Sequence, residues 1–487
     1  MVETVKQKSN ETNRPVIVWF RQDLRTDDHP ALHAASQGGR VVIPVFIWDQ
    51  MGEGSWLVGA ASKWWLHSSL AALGKTLSTL GSPLILRQGT AEKVLVEIAK
   101  STGAGGVHCS MRYEPSAKSQ EVRVRKELLA SGLSFEAHPG TLLHDPAVIR
   151  TGSGMPYKVY TPFAKAYRNT MSSESPLSPP KFLKAPEEKI HSASLDELKL
   201  LPAIDWAKTM REWWQPGEAG ARKRLSKFTI QSAKAYGENR DFPAEDGSSR
   251  LSAHLHWGEI SPRRIWNEVS KSPAAASVGA QKYLAEILWR DFAYHVMSNF
   301  PRTAESPLRP EFERFPWEPS AEKLKAWKQG KTGYPIVDAG MRQLWATGWM
   351  HNRVRMIVAS FLVKHLLQDW HHGAKWFWET LVDADLSSNS LGWQWSAGCG
   401  ADAAPYFRIF NPILQGEKFD SQGTYVREWI PELAHLPSEF IHQPWNAPPL
   451  VLLQSGVELG GNYPAPIVDH VTARNRALAA LSFFGKQ

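Results

Sequence analysis

Cysteine is the scarcest residue in this sequence, with only Cys109 and Cys399 among 487 residues. Two thiols cannot build a disulfide framework, a four-cysteine zinc site or an iron–sulfur cluster, and their scarcity is typical of a reducing, intracellular compartment. No apolar run reaches the ~18 residues of a membrane-spanning helix. The first residues lack the apolar core of a secretory signal. We therefore expect a cytoplasmic protein that is neither secreted nor membrane-bound, with a disordered tail over residues 1–14.

Several widespread cofactor and catalytic motifs are also absent. The chain contains no GxGxxG fingerprint, no P-loop and no Gly-x-Ser-x-Gly nucleophile elbow. The pairs His254/His256 and His371/His372 lack the four-residue helical spacing of zinc ligands and have no cysteine or aspartate cluster beside them. We therefore predict no nicotinamide-type dinucleotide site, no ATP site and no metal site.

Tryptophan and positive charge, in contrast, are abundant. The chain has 22 Trp against 11 Tyr and 19 Phe, a formal net charge of +8 and a pI of about 9.2. Most of these indoles will be packing residues, but their excess also suggests stacking surfaces or electron transfer. A basic balance favours anionic partners such as nucleic acid; general solubility is the alternative explanation.

The hydrophobic pattern divides the chain into two structural classes. Short apolar runs at 16–20, 41–47, 83–86 and 106–109 alternate with helical stretches such as 62–80. This alternation predicts a doubly wound, parallel, Rossmann-like sheet over residues 15–140. Ligands of such sheets lie beyond the carboxyl ends of the strands, where this sequence has RQDLR (21–25) and WD (48–49).

The rest of the chain predicts a connector followed by helices. Residues 141–205 are rich in Pro, Ser and Lys and contain clear breakers, which indicates a long surface connector. Over residues 206–487 strand signals nearly vanish and helical periodicity dominates, including one long helix over 336–365. The fold class is therefore α/β followed by an all-α domain.

Polar side chains recur at helical spacing in the segment GWMHNRVRM (348–356). Asn352, Arg355 and Met356 are spaced i, i+3, i+4, so one helix face presents an amide, a guanidinium and a thioether. The alternative is a helix whose arginines extend from an apolar face to water.

Two further segments contain candidate binding residues. Asp383 and Asp385, with Asn389 four residues later, are typical of a capped helix start; a binding role requires a ribose hydroxyl or guanidinium partner. Trp393 and Trp395 follow, and one indole could face an internal ligand. The turn GSSRLS (247–252) is suited to phosphate oxygens, or simply to helix capping.

Taken together, these segments resemble the cryptochrome/photolyase family. The resemblance covers residues 16 to about 481. It rests on VWFRQDLR (18–25), DFPA (241–244), WRDF (289–292), KTGYPIVD (331–338), GWMHNRVRM (348–356) and residues 383–411, in the family's order. It implies an N-terminal antenna domain and a C-terminal helical domain that binds U-shaped FAD.

The resemblance also implies a set of flavin contacts. Contacts to the flavin phosphates and edge are implied for Tyr236, Ser248, Ser249, Ser252 and Tyr283, the last standing where many members have Trp. Contacts to the ribose, diphosphate and isoalloxazine are implied for Arg290, Asn352, Arg355, Asp383, Asp385 and Asn389, with Asn389 beside flavin N5.

The implied substrate is DNA containing a cyclobutane pyrimidine dimer. Glu286, Trp289, Met356 and Trp395 match family positions that contact the flipped dimer, and Arg353 matches the rim of that cavity. Indole faces can stack on splayed bases at ~1–3 kcal/mol per base. Asn352 replaces the histidine of the group that repairs (6-4) lesions, which argues against that substrate.

The resemblance further implies an electron relay, a subclass and an antenna. Trp393, Trp370 and Trp317 occupy the positions of the relay that reduces FAD after light absorption; core packing is the alternative. Repair itself needs electron transfer from excited FADH⁻ to the dimer and back. The loop SAGCG (396–400) and the stretches HQPWNAP (442–448) and GNYP (461–464) resemble class III dimer photolyases, close to plant cryptochromes. That subclass implies a methenyltetrahydrofolate antenna and a monomer, associated with the nucleoid if the chain is bacterial.

Two alternatives to a photolyase are open. One is a plant-like cryptochrome photoreceptor without repair activity. Asn389 argues against it, because an amide cannot protonate N5 as the Asp of plant cryptochromes can; we also expect the chain to end near residue 487 without a signalling extension. The other is a non-enzymatic nucleic-acid-binding protein with a vestigial flavin site. The presence of the whole set Glu286, Trp289, Asn352, Met356 and Trp395 argues against it.

Overall fold

The first domain is a parallel sheet with helices on both faces. A computed structural model describes residues 14–170, 175–403 and 408–484. Five strands pair in the order β3-β2-β1-β4-β5, and every pairing is parallel. They are β1 (Val16–Phe20), β2 (Val42–Trp48), β3 (Ile85–Gln88), β4 (Gly106–Ser110) and β5 (Ser134–His138).

Burial on both faces explains why the central strands are continuous apolar runs. Every residue of β1 and β2 is buried, as expected for a parallel sheet with helices packed on both of its faces. The helices α1 (Pro30–Ser36) and α2 (Ala60–Leu80) pack on one face, and α3 (Ala91–Thr102) and α4 (Pro115–Ala130) on the other. The predicted doubly wound sheet is confirmed, with the third strand shifted to 85–88. The sequence analysis missed β5, because this edge strand alternates exposed and buried residues.

The predicted connector contains ordered structure. Within residues 141–205 lies the helix α5 (Tyr160–Thr170), whose Phe163 and Tyr167 are buried. The Tyr167 hydroxyl donates to the Asp291 carboxylate. This contact docks α5 on the helical region, so this part of the interval belongs to the packed structure. Residues 1–13, which hold most of the predicted tail, lie outside the described residues.

Beyond residue 205 the described chain is helical, as predicted. Its named strands all lie before residue 139. The helices are α6 (Lys208–Trp213), α7 (Glu218–Lys227), α8 (Tyr236–Asn239), α9 (Ser252–His256), α10 (Pro262–Lys271), α11 (Val278–Asn299), α12 (Ala321–Lys328), α13 (Pro335–Thr347), α14 (Asn352–Ser360), α15 (Trp370–Thr380), α16 (Leu386–Ala397), α17 (Pro412–Phe419), α18 (Thr424–Trp429), α19 (Pro449–Gln454) and α20 (His470–Phe484).

The single helix predicted over 336–365 is wrong. The chain leaves the helix at Gly348, which adopts a left-handed φ of 68° and donates its N–H to Leu344 O. A Cβ there would lie 2.7 Å from Met210 Cε, so glycine is needed for space as well as conformation. A new helix, α14, then begins after His351, whose ring accepts the N–H of Arg353.

Charged residues after β1 join the two domains. Arg25 is fully buried and donates to Asp28 O (2.8 Å), Gly258 O (3.0 Å) and Gly140 O (2.9 Å). Asp27 pairs with Arg264 of the helical domain at 2.7 Å. Arg25 and Asp27 therefore help to hold the two domains together. In the part of the chain that the structure describes, no helix is long and apolar enough to cross a membrane.

Candidate flavin and substrate site

An aromatic wall stands where α8 packs against α11. Tyr236 and Tyr283 are both buried, with ring centroids 5.2 Å apart and planes at 83°. The Tyr283 hydroxyl donates to Ser249 Oγ at 3.0 Å. Burial raises the pKa of both phenols, so both rings stay neutral. The structure thus brings three predicted flavin contacts together.

The serine-rich turn beside this wall contains an arginine, Arg250, that the sequence analysis did not single out. Ser248 and Ser249 are half-buried, while Ser252 is exposed at the start of α9. Arg250 has a positive φ of 50°, and its guanidinium lies over the rings of Trp213 (5.2 Å) and Trp349 (5.5 Å). Its Nε is buried and has no hydrogen-bond acceptor among the described residues. A buried donor of this kind next to hydroxyl groups suits an anionic ligand.

The two predicted aspartates have different partners. Asp383 is buried and accepts from Arg355 Nη2 at 2.7 and 3.0 Å. Asp385 caps α16 by accepting the N–H of Ser388 at 2.8 Å. It also accepts the hydroxyl of Tyr294 at 2.6 Å. The capping role predicted for this segment is confirmed, and Asp383 has the guanidinium partner that a binding role required.

Three other predicted flavin residues lie on α11, α14 and α16. Arg290 donates to Thr141 O at 2.8 Å, and its guanidinium lies 5.0 Å from the Tyr294 ring centroid. Asn389 is half-buried and donates its amide to Ala374 O at 3.0 Å, which fixes the orientation of the side chain. Asn352 is exposed at the first position of α14, where it is accessible to a ligand.

A second polar cluster links the predicted substrate residues to one another. Glu286 of α11 forms an ion pair with Arg240. Next to Arg240, Asp241 accepts from Arg353 Nη2 at 2.9 Å. Arg353 in turn lies 3.9 Å from Met356 Sδ through Nη1. Sequence reasoning missed Arg240 and gave Asp241 no role, although Asp241 opens the DFPA motif.

The two predicted stacking indoles have different surroundings. Trp289 is half-buried and lies face to face with Tyr160, with centroids 3.8 Å apart and planes at 7°. Trp395 is half-buried and lines a cleft together with Lys364 and Arg408. Burial lowers the pKa of Lys364 to about 7. Tyr160, which the sequence analysis assigned to the connector, therefore packs directly against one of the two predicted stacking residues.

The predicted relay tryptophans share one hydrophobic core. Trp393 and Trp370 are buried, and Trp317 packs against the same core. Trp393 lies against Gly373 of α15, where a Cβ would come within 2.0 Å of its ring. The segment after Trp317 is tied to the loop before Trp370, because Glu318 donates its N–H to Leu367 O at 2.8 Å. The three indoles thus belong to adjoining elements.

The chemistry of this donor set fits a flavin dinucleotide. The aromatic wall offers contacts to flat rings, the hydroxyls and the buried Arg250 Nε suit phosphate oxygens, and the carboxylates can accept from sugar hydroxyls. The site and the α/β-plus-helical fold define a two-domain flavin-binding class.

The comparisons with known proteins agree with this class. Residues 16–181 match the family described as DNA photolyase, and residues 283–482 match the FAD binding domain of DNA photolyase. The chain is 50% identical to a deoxyribodipyrimidine photo-lyase of Agrobacterium fabrum over 96% of this chain and 97% of that protein. It is 41% identical to cryptochrome-2 of Arabidopsis thaliana, covering 96% and 79%. The crystal structure of a bacterial class III photolyase from Agrobacterium tumefaciens superposes with a TM-score of 0.94 at 49% identity, covering 98% of each chain. The chain belongs to the photolyase/cryptochrome family and has its FAD-binding domain.

Proposed function

We propose that this protein repairs cyclobutane pyrimidine dimers in DNA by a light-driven reaction. The observation that carries the proposal is the cluster of Glu286, Arg240, Asp241, Arg353 and Met356 beside Trp289, a set of groups suited to a flat, polar-edged lesion. The 50% sequence identity to a protein named deoxyribodipyrimidine photo-lyase, which extends over 97% of that protein, supports the proposal.

We infer that the chain holds FAD with the residues that the site brings together. Ser248, Ser249, Ser252 and Arg250 would bind the diphosphate. Asp383, held by Arg355, and Asp385 would accept hydrogen bonds from ribose or the flavin ring. Reduced FAD, once bound, supplies the photoexcited electron that dimer cleavage requires. The remaining contacts assigned to FAD are Tyr236, Tyr283, Arg290, Asn352 and Asn389.

The dimer would lie between protein groups of two kinds. Trp289 and Trp395 offer indole faces for the two pyrimidines, and stacking of this kind contributes ~1–3 kcal/mol per base. Glu286 would accept from the pyrimidine edge, while Asn352, Arg353 and Met356 complete the cavity and its rim. A dimer is already poorly stacked in the duplex, so extruding it costs little.

Trp393, Trp370 and Trp317 would carry electrons to the cofactor from solvent. The hydrophobic core that these three indoles share supports this role, because it would keep water away from most of the path. Repair does not use this relay once the cofactor is reduced, so the two activities are separable.

A signalling cryptochrome is the second candidate, favoured by the identity to cryptochrome-2. Asn389 argues for repair. An amide has no proton to exchange at neutral pH, and its donation to Ala374 O turns its N–H₂ group toward α15. This arrangement favours the anionic reduced cofactor that repair needs.

Several finer properties belong to the same proposal. We place the antenna domain at 15–140, the connector at 141–205 and the catalytic domain at 206–487. A methenyltetrahydrofolate antenna, a monomeric state and a cytoplasmic, nucleoid-associated location are expected. Denatured protein that releases no folate would contradict the antenna. A mass above that of one chain in gel filtration with light scattering would contradict the monomer. Fluorescence away from the nucleoid in cells would contradict the location.

The decisive experiment uses an oligonucleotide that carries one thymine dimer. Dithionite-reduced protein is mixed with it and illuminated with near-UV or blue light, and recovery of thymine absorbance is followed against a dark control. Light-dependent recovery is expected. No recovery from protein fully loaded with reduced FAD would favour the cryptochrome, with a (6-4) substrate as the next check. Trp395→Ala should weaken binding to dimer-containing DNA far more than to undamaged DNA, and equal losses would contradict its stacking role.

A further inference from the structure

Two histidines and a glutamate lie together on the last two strands of the sheet. They belong to the N-terminal domain and not to the helical domain that contains the candidate flavin site. His108 belongs to β4, and Glu136 and His138 belong to β5. His108 is in register with Glu136, and Ser110 with His138. Because side chains two residues apart share one face of a strand, all three project from the same face of the sheet.

The nitrogen and oxygen atoms of this trio are close enough for one ion. His138 Nε2 lies 3.0 Å from His108 Nδ1 and 3.8 Å from Glu136 Oε2. One potential ligand atom from each residue lies within 4.8 Å of the others. Zinc binds imidazole nitrogen and carboxylate oxygen at about 2.0–2.2 Å in a tetrahedral array, which places neighbouring ligand atoms about 3.3–3.5 Å apart. The two measured separations fall on either side of that range.

We propose that His108, Glu136 and His138 bind a divalent transition-metal ion, with Zn²⁺ as the best match, and that water completes its coordination. Two imidazoles and one carboxylate suit zinc, whereas Mg²⁺ and Ca²⁺ prefer all-oxygen sites. The prediction of no metal site considered only histidines close together in the sequence. It missed this trio because 30 residues separate the two histidines in the chain.

The site is open to solvent on one side, and a nearby positive charge affects its affinity for a cation. His108 is 4% exposed and forms the floor, while the Glu136 side chain is 56% exposed and leaves an open side. The positive charge of Arg40 acts on His108, and Arg40 is held in place by donating to Ala34 O at 2.8 Å. Arg40 therefore opposes cation binding, and its neutralisation should tighten the site.

The bound ion would join β5 to β4 through side chains. This strand is the exposed edge of the sheet, with Ser134 and Glu136 open to solvent. An ion bound only by the folded protein stabilises it by mass action. The proposal does not depend on repair activity, because the trio belongs to the sheet domain and has no role in the flavin or substrate site.

The test is calorimetric titration of Zn²⁺ into untagged, flavin-loaded, full-length protein that has been stripped with EDTA and dialysed. One equivalent should bind. Glu136→Gln and His138→Ala should weaken binding by at least about tenfold, the smallest loss typical of removing even an outer partner of a metal ligand. Arg40→Gln should strengthen it. His33→Ala removes an exposed histidine of α1 outside the trio and serves as the matched control.

X-ray absorption at the zinc edge gives an independent readout, because two imidazoles produce characteristic outer-shell scattering. Circular dichroism and flavin content establish that each variant is folded. Absence of Zn²⁺ binding to the parent protein would overturn the proposal. So would binding that Glu136→Gln and His138→Ala leave unchanged, or that His33→Ala weakens equally.

Discussion

The stack between Tyr160 and Trp289 gives the sharpest test of the proposed substrate cavity. The two rings are nearly parallel at 3.8 Å, the Tyr160 hydroxyl donates to Ala285 O at 2.8 Å, and its backbone N–H donates to Asp402 Oδ1 at 3.2 Å. Tyr160 is therefore held by its two hydrogen bonds and by the stack, and it covers one face of the Trp289 indole. An indole held in this way loses little conformational freedom when a base stacks on it.

The size of the effect follows from the contacts. Tyr160→Ala leaves the Trp289 side chain free to move, and immobilising such a side chain on binding costs about 0.5–1.5 kcal/mol, which corresponds to about 2- to 13-fold in Kd for dimer-containing DNA. Tyr160→Phe keeps the ring and loses only the hydroxyl bond to Ala285 O. We expect it to retain most of the affinity.

Fluorescence anisotropy in darkness measures this binding without turnover, using labelled duplexes with and without one dimer. The matched control is Tyr157→Ala, which removes a tyrosine of the same segment that contacts Phe163 and His295. The reasoning is refuted if Tyr160→Ala weakens binding to both duplexes equally, or if Tyr157→Ala has the same effect as Tyr160→Ala.

Three further predictions concern the relay, the cofactor and stability. Trp393→Phe should block photoreduction of FAD and leave repair by chemically reduced protein intact; lost repair in that assay would give Trp393 another role. Arg355→Ala leaves the buried Asp383 carboxylate unpaired, at a cost of about 3–5 kcal/mol, so flavin absorbance per protein after gel filtration should fall, and unchanged retention would contradict the pairing. Burial raises the pKa of Asp291 from 3.8 to about 6. The folded protein then holds this proton more tightly than the unfolded chain, so stability declines from about pH 4 to pH 6, by about 1.4 kcal/mol per pH unit at most. Urea unfolding of Asp291→Asn should show a flatter pH profile, and an unchanged slope would rule this out.

The class of each domain was predictable because it depends on burial. The strands β1 and β2 are covered on both faces and therefore appear as unbroken apolar runs. The edge strand β5 is half exposed, and its alternating pattern over five residues is too short to distinguish from a loop. The break at Gly348 was missed because apolar residues continue on both sides of it. Only the packing of Met210 and Val382 against that glycine shows why the helix must end there.

Helical spacing alone grouped the site residues that follow one helix, whereas the family resemblance was needed to name residues from distant segments, and neither predicted which side chains pair. Asn352, Arg355 and Met356 were found by their spacing, and the pairing of Arg355 with Asp383 spans only 28 residues. Glu286 and Arg240 are 46 residues apart, and Arg353 and Asp241 are 112 apart. No periodicity connects such pairs, because the fold and not the local sequence brings them together.

These pairings also determine what the cavity attracts. Glu286 is matched by Arg240, Asp241 by Arg353 and Asp383 by Arg355, so each of these three carboxylates has its own guanidinium. These three pairs therefore add no net charge that would attract a phosphate, whereas Lys364 and Arg408 line the cleft beside Trp395 and the whole chain carries a formal charge of +8. Backbone phosphates would then be bound by basic residues outside these pairs, while the uncharged bases of the pyrimidine dimer meet carboxylates that are already neutralised. It follows that salt should weaken binding to damaged and undamaged DNA with similar slopes, and that the preference for the dimer should persist at high salt.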